Sequence, residues 1–238
     1  MADGARPAGR GHRYAVYFAP GPETALWRLG SAVLGYDAAS GADVAAKVPE
    51  GWSAEAWHAL TDDPRTYGFH ATLKAPFRPR EGVTEGDLLA ALQGLGRASA
   101  AFSMDLQVAR LGSFVAIVPR QAPAALGALA FACVERFEDM RSPLNAGEIA
   151  RRRPERLTER QRAYLDRFGY PYVAEDFRFH MTLTGALPAG ASDPVDALRR
   201  LFAPVIDASP TLLDGISLCR QDTPDSRFKI VARVALQG

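Results

Sequence analysis

Two five-residue phrases constrain this 238-residue chain more than anything else in it. FHATL runs from Phe69 to Leu73, and FHMTL runs from Phe179 to Leu183. The chain has only four histidines, yet two stand in matching frames 110 residues apart. In an extended strand, residues i, i+2 and i+4 share one face. His70, Thr72 and Lys74 are therefore expected on one side, with Phe69, Ala71, Leu73 and Ala75 on the other. In the second copy His180, Thr182 and Thr184 share a face, and Phe179, Met181 and Leu183 form the core-facing set. Each strand presents an imidazole beside a hydroxyl and hides a hydrophobic row behind it.

The match extends beyond five letters. The apolar pattern predicts a strand over residues 13–20, a helix over 23–34 and a short helix starting near Ser53. The first histidine strand follows over 69–78, then a helix from Thr84 and strands over 104–111 and 114–119. A helix is expected over 123–140 and an irregular Arg- and Pro-rich connection over 141–155. Residues 157–168 read as a helix capped by Thr158, and 177–187 as the second histidine strand. A helix over 194–202 and strands over 216–220 and 228–236 close the chain. Tyr14 precedes His70 by 56 residues, and Phe114 precedes His180 by 66. The same strand, helix, histidine strand, helix, strand order thus occurs twice. It predicts an α+β, duplicated bilobal fold, with two antiparallel sheets flanked by helices around a central cleft. The repeats span about 13–113 and 114–238 of one bilobal domain, after a loose tail over residues 1–12.

Composition leaves this reading intact. Hydrophobic residues make up 47% and charged residues 23%, the balance of a globule with a sizeable core. A net charge of +1 gives no global field to attract nucleic acid or a membrane. Two cysteines are too few for a disulfide scaffold, and no apolar run reaches the ~18–20 residues of a membrane span. The start of the chain lacks the apolar segment of a signal peptide, so a cytoplasmic protein is expected. His12 and His58 lie outside the repeated frames and are read as incidental.

Two imidazoles and two hydroxyls around one cleft suit a phosphodiester. Hydrolysis needs a base for the attacking water and an acid for the departing alkoxide, and histidine can be either at neutral pH. Thr72 and Thr182 can hydrogen-bond phosphate oxygens, and Lys74 would add positive charge where negative charge accumulates. The arrangement requires no metal or other cofactor. No H-x-H or H-E-x-x-H pattern speaks for one.

The phrases HATL and HMTL resemble the two-histidine (2H) phosphoesterase superfamily, whose pattern is His, apolar, Thr or Ser, apolar, occurring twice. The longer phrases YGFHATLKAPF and FRFHMTLTG resemble a bacterial branch encoded beside phosphonate-utilisation genes. The superfamily resemblance implies a bilobal cyclic-phosphodiesterase-like fold with His70 and His180 facing each other. It implies cyclic-phosphodiester hydrolysis or, in some branches, RNA end ligation. The expected substrate is a small cyclic phosphate: a ribose cyclic phosphate, or a 2′,3′-cyclic nucleotide or RNA end. No DNA or membrane partner is expected, and the chain is expected to be a monomer. The rival reading is a non-catalytic binding protein for a phosphorylated metabolite or RNA end. Further candidate substrate contacts are Tyr67, Tyr170 and Tyr172, and Arg141 with the run Arg151 to Arg153 for a second phosphate.

Overall fold

The computed structural model describes residues 11–188, 190 and 192–237. Most of the expected tail lies outside the described residues; Gly11 and His12 lead straight into β1 (Arg13–Phe18). Then come α1 (Ala25–Leu34), the small hairpin of β2 (Tyr36–Asp37) and β3 (Ala42–Asp43), and α2 (Ala54–Leu60) and α3 (Asp62–Arg65). The first half ends with β4 (Ala71–Phe77), α4 (Glu85–Ala98), β5 (Phe102–Met104) and β6 (Leu106–Leu111). The second half runs through β7 (Phe114–Pro119), α5 (Ala124–Arg136), α6 (Ala146–Arg151) and α7 (Glu159–Phe168). It closes with β8 (Met181–Thr182), α8 (Val195–Ile206), β9 (Thr211–Leu213), β10 (Gly215–Gln221) and β11 (Lys229–Ala235).

Local chemistry explains the helix ends. Thr24 caps α1 by accepting from the Trp27 amide, and Gly35 closes it in the left-handed conformation. Thr84, Asn145 and Thr158 each form a reciprocal capping box, with Asp87, Glu148 and Gln161 respectively. The Asn145 box builds α6 inside the segment expected to be irregular.

The fold is α+β, and its main sheet is antiparallel throughout, in the order β11-β10-β1-β4-β8-β7-β6. The two strand sets expected from the sequence are thus hydrogen-bonded into one sheet at a narrow seam. That seam is a single register pair, Ala71 with Met181, between the two histidine strands. The halves also exchange elements. β10, from the second half, pairs with β1, while β6, from the first half, pairs with β7. Helices follow the same exchange: α4 lies on β10 and β11 beside α5, and α8 lies on β6 beside α1. The second histidine strand is shorter than expected. Beyond Thr182 the chain leaves the ladder, and the Leu183 and Thr184 amides both donate to the Val115 carbonyl.

Helices cover one side of the sheet and form the main core, which includes Val16, Phe18, Phe69, Leu73, Met181 and Leu183. Phe69 is fully buried, and its ring lies directly over Gly30 of α1, where any Cβ would collide with it. This contact anchors the residue immediately before the first motif histidine. No helix among the described residues is long and apolar enough to cross a membrane.

Candidate active site

The seam register places the motif residues. Pairing Ala71 with Met181 sets His70 across from Thr182, and Thr72 across from His180, in neighbouring strands. The alternation that buries Phe69, Leu73, Met181 and Leu183 leaves His70, Thr72, His180 and Thr182 half-buried on the other face. The four expected residues are therefore brought together.

Both imidazoles are held the same way. His70 Nδ1 lies 2.9 Å from the Gly68 carbonyl oxygen, and His180 Nδ1 lies 2.7 Å from that of Arg178. A carbonyl only accepts, so each Nδ1 carries a proton and each Nε2 is left for other partners. The Thr72 hydroxyl donates to His70 Nε2 at 3.2 Å. Gly68 makes its bond possible. Its φ of +75° turns the carbonyl back toward the ring, and a Cβ there would lie 2.7 Å from the Ala38 Cβ. Aromatic rings pack beside both histidines: Tyr17 at 3.8 Å from His70 between ring centroids, and Phe114 at 5.8 Å from His180. Burial lowers the His70 pKa to about 4, and the nearby His180 acts in the same direction, while the Gly68 bond partly opposes them. His70 is neutral at pH 7.

A cavity of 710 Å³ opens beside the motifs, with Thr72 and His180 on one wall. Its remaining lining is mainly apolar and aromatic, with Phe114, Tyr170, Tyr172 and Phe177 among the lining residues. Tyr170 and Tyr172, offered by the sequence as substrate contacts, both line this cavity, their rings edge to face at 5.6 Å. Tyr67 lies 6.0 Å from His70, but its ring stacks on Phe228 at 5.5 Å and serves packing.

Two expected cations are elsewhere. Lys74 does not share the His70 face. An irregularity in the β1–β4 ladder makes Leu73 an extra residue, with Thr72 opposite Tyr17 but Lys74 opposite Val16, a core position. The residue is 2% exposed, and its ammonium bonds Glu138 at 2.8 Å and the Val134 carbonyl at 3.2 Å. Arg141 completes this cluster, donating to Glu138 Oε1 at 2.9 Å and to the Arg167 and Ser142 carbonyls. Both are structural ions. Thr184 is also diverted: it is fully buried and bonds the Val115 amide and the Gly185 carbonyl.

Sequence reasoning missed Arg178. It lies two residues before His180, just ahead of β8, and lines the cavity with it. Among the described residues, no three His, Cys, Asp or Glu side chains come together as a metal-ligand set.

Known proteins resemble this chain at several levels. It is 38% identical over 231 residues to a protein of Janthinobacterium sp. (strain Marseille) named ribose 1,5-bisphosphate phosphokinase PhnN, covering 95% of this chain and 51% of that one. A protein of the same name from Laribacter hongkongensis (strain HLHK9) is 36% identical over 229 residues, covering 94% of this chain and 52% of the relative. The chain thus spans about half the length of the curated relatives it matches. Among solved structures it is similar to E. coli LigT complexed with 3′-AMP, with a TM-score of 0.45 and 14% identity, covering 97% of this chain and all of that one. It is similar to TT0787 of Thermus thermophilus with a TM-score of 0.45 and 17% identity, covering 95% of this chain and 98% of that one. A family model described as "Protein of unknown function (DUF1045)" matches residues 72–229, and the chain belongs to that family.

Proposed function

We propose that this protein hydrolyses a small cyclic phosphodiester, with His70 as general base and His180 as general acid. The observation that carries the reading is the matched pair of Nδ1–carbonyl bonds. They hold a proton on both Nδ1 atoms and leave both Nε2 atoms for proton transfer. Burial keeps His70 neutral and able to accept a proton from water, which leaves the acid role to His180. Water adds to phosphorus as His70 Nε2 removes its proton; one ring P–O bond breaks, and the leaving oxygen takes the Nε2 proton of His180, which enters the step as the imidazolium. One cyclic diester and one water give one phosphomonoester and one hydroxyl. The Thr182 hydroxyl hydrogen-bonds one non-bridging oxygen, and the Thr72 hydroxyl turns from His70 Nε2 to the other as water takes its place on the imidazole, so both meet the accumulating negative charge.

The names of the longer relatives suggest the substrate. A kinase acting on ribose 1,5-bisphosphate needs a supply of that compound. Opening a 5-phosphoribose 1,2-cyclic phosphate at the P–O2 bond yields it, with the phosphate retained on O1. This is the ribose cyclic phosphate we favour over a 2′,3′-cyclic nucleotide or RNA end.

The test is turnover of a panel containing all three substrate types, followed by phosphorus NMR. The expected product is ribose 1,5-bisphosphate. Tight binding of a cyclic phosphate with no turnover would replace this reading with a binding protein.

A further inference from the structure

One cation lines the cavity beside His180, and the fold gives it no work. Arg178 is exposed, and its guanidinium makes no hydrogen bond or ion pair among the described residues, although its charge reaches the Asp176 carboxylate. The charges around it are committed. Lys74 and Arg141 hold Glu138, and Asp176, the carboxylate in the same lining, is held by Arg160 at 2.9 and 3.0 Å and by Gln161. Asp176 and Arg178 are the Lys, Arg, Asp and Glu residues of this lining. Arg178 is thus the one arginine or lysine in the lining itself, with Arg152 over the ring of Tyr170 at 4.9 Å.

Position says which anion. Thr72 and His180 face each other across the seam, and His70 and Thr182 form the row on its far side. Arg178 lies two residues before His180, in the connection that leads into β8, and lines the same cavity, so its backbone is within about 7 Å of that of His180. The ring phosphate has donors from both motif strands already. An anion at Arg178 is separated from that phosphate by roughly the span of a sugar.

We propose that Arg178 is the subsite for a second, terminal phosphate of the substrate, so that the site selects sugar cyclic phosphates bearing a phosphomonoester. This rests on the hydrolase reading above. Arginine suits this role because its planar fork grips phosphate through two parallel hydrogen bonds and stays charged at every relevant pH. The backbone carbonyl of the same residue orients His180, so phosphate binding and acid placement meet at one position.

The test compares 5-phosphoribose 1,2-cyclic phosphate with the same compound bearing a free 5-hydroxyl. For Arg178→Gln, kcat/KM should fall roughly 10–100-fold on the phosphorylated substrate and less than about threefold on the other. Arg178→Lys should recover part of the loss. Arg200→Gln removes the same charge from the surface of α8, where Arg200 pairs with Glu50, and should change neither substrate. Equal losses on both substrates would place Arg178 at the ring phosphate and overturn the proposal, as would no loss on either. If wild type turns over neither compound, the hydrolase reading fails, and calorimetry with ribose 5-phosphate decides the subsite alone. Weaker binding by Arg178→Gln would then support it, and unchanged binding would overturn it.

Discussion

Gly68→Ala tests how the first histidine is aimed. The glycine has φ +75°, a left-handed conformation that costs an L-residue about 1–2 kcal/mol. The added methyl would sit 2.7 Å from the Ala38 Cβ, closer than two carbons approach, and overpacking of this size costs roughly 1–3 kcal/mol. The two terms together predict a loss of about 2–5 kcal/mol, and a fall in Tm of roughly 5–15 °C for a chain of this length. Relief of the clash requires the 67–69 backbone to move, which takes the Gly68 carbonyl off His70 Nδ1 and frees the ring to turn. Turnover should therefore fall more than substrate affinity. Urea unfolding and steady-state kinetics on Gly68→Ala, Ala38→Gly and the double variant separate the terms. The double variant should recover the overpacking part and retain the conformational part. A Gly68→Ala protein as stable and as active as wild type would refute the reasoning.

Three further outcomes follow from the geometry. The folded His70 pKa of about 4 lies below the ordinary imidazole value of 6.5, so as pH falls the unfolded chain takes up this proton first. The stability His70 contributes is present above pH 6.5 and lost as pH falls to about 4, amounting to roughly 1–3 kcal/mol for a half-buried ring; comparing urea titrations of wild type and His70→Gln over that range isolates it. Lys74→Met leaves Glu138 with Arg141 alone and removes a buried partner, so it should cost roughly 3–5 kcal/mol in unfolding experiments while a folded fraction retains its kcat. Activity on the best cyclic phosphate should survive dialysis against chelator, because the proposed chemistry uses imidazoles and hydroxyls; loss in chelator and recovery with zinc or manganese would contradict it.

Much of this site was legible because its signals are local. Alternation alone put His70 beside Thr72 and His180 beside Thr182; Arg178 lies just ahead of β8, outside the reach of that rule. Lys74 misled because the extra residue at Leu73 leaves no mark on the apolar pattern, which stays continuous through the bulge. Arg and Pro composition hid α6, although Asn145 and Glu148 spell its capping box. The exchange of β6 and β10 between halves depends on pairing over long sequence separations, which no local period encodes. The brevity of β8 likewise reflects its place at the seam, where one residue pair joins two strand sets.

The most direct test of the central claim is kcat/KM for His70→Ala and His180→Ala on 5-phosphoribose 1,2-cyclic phosphate, with folding checked by circular dichroism. Each variant loses one proton transfer, so each should fall roughly 10²–10⁴-fold, and the double variant should fall by less than the product of the two. A folded single variant that keeps near wild-type turnover would show that the two imidazoles are not a catalytic pair.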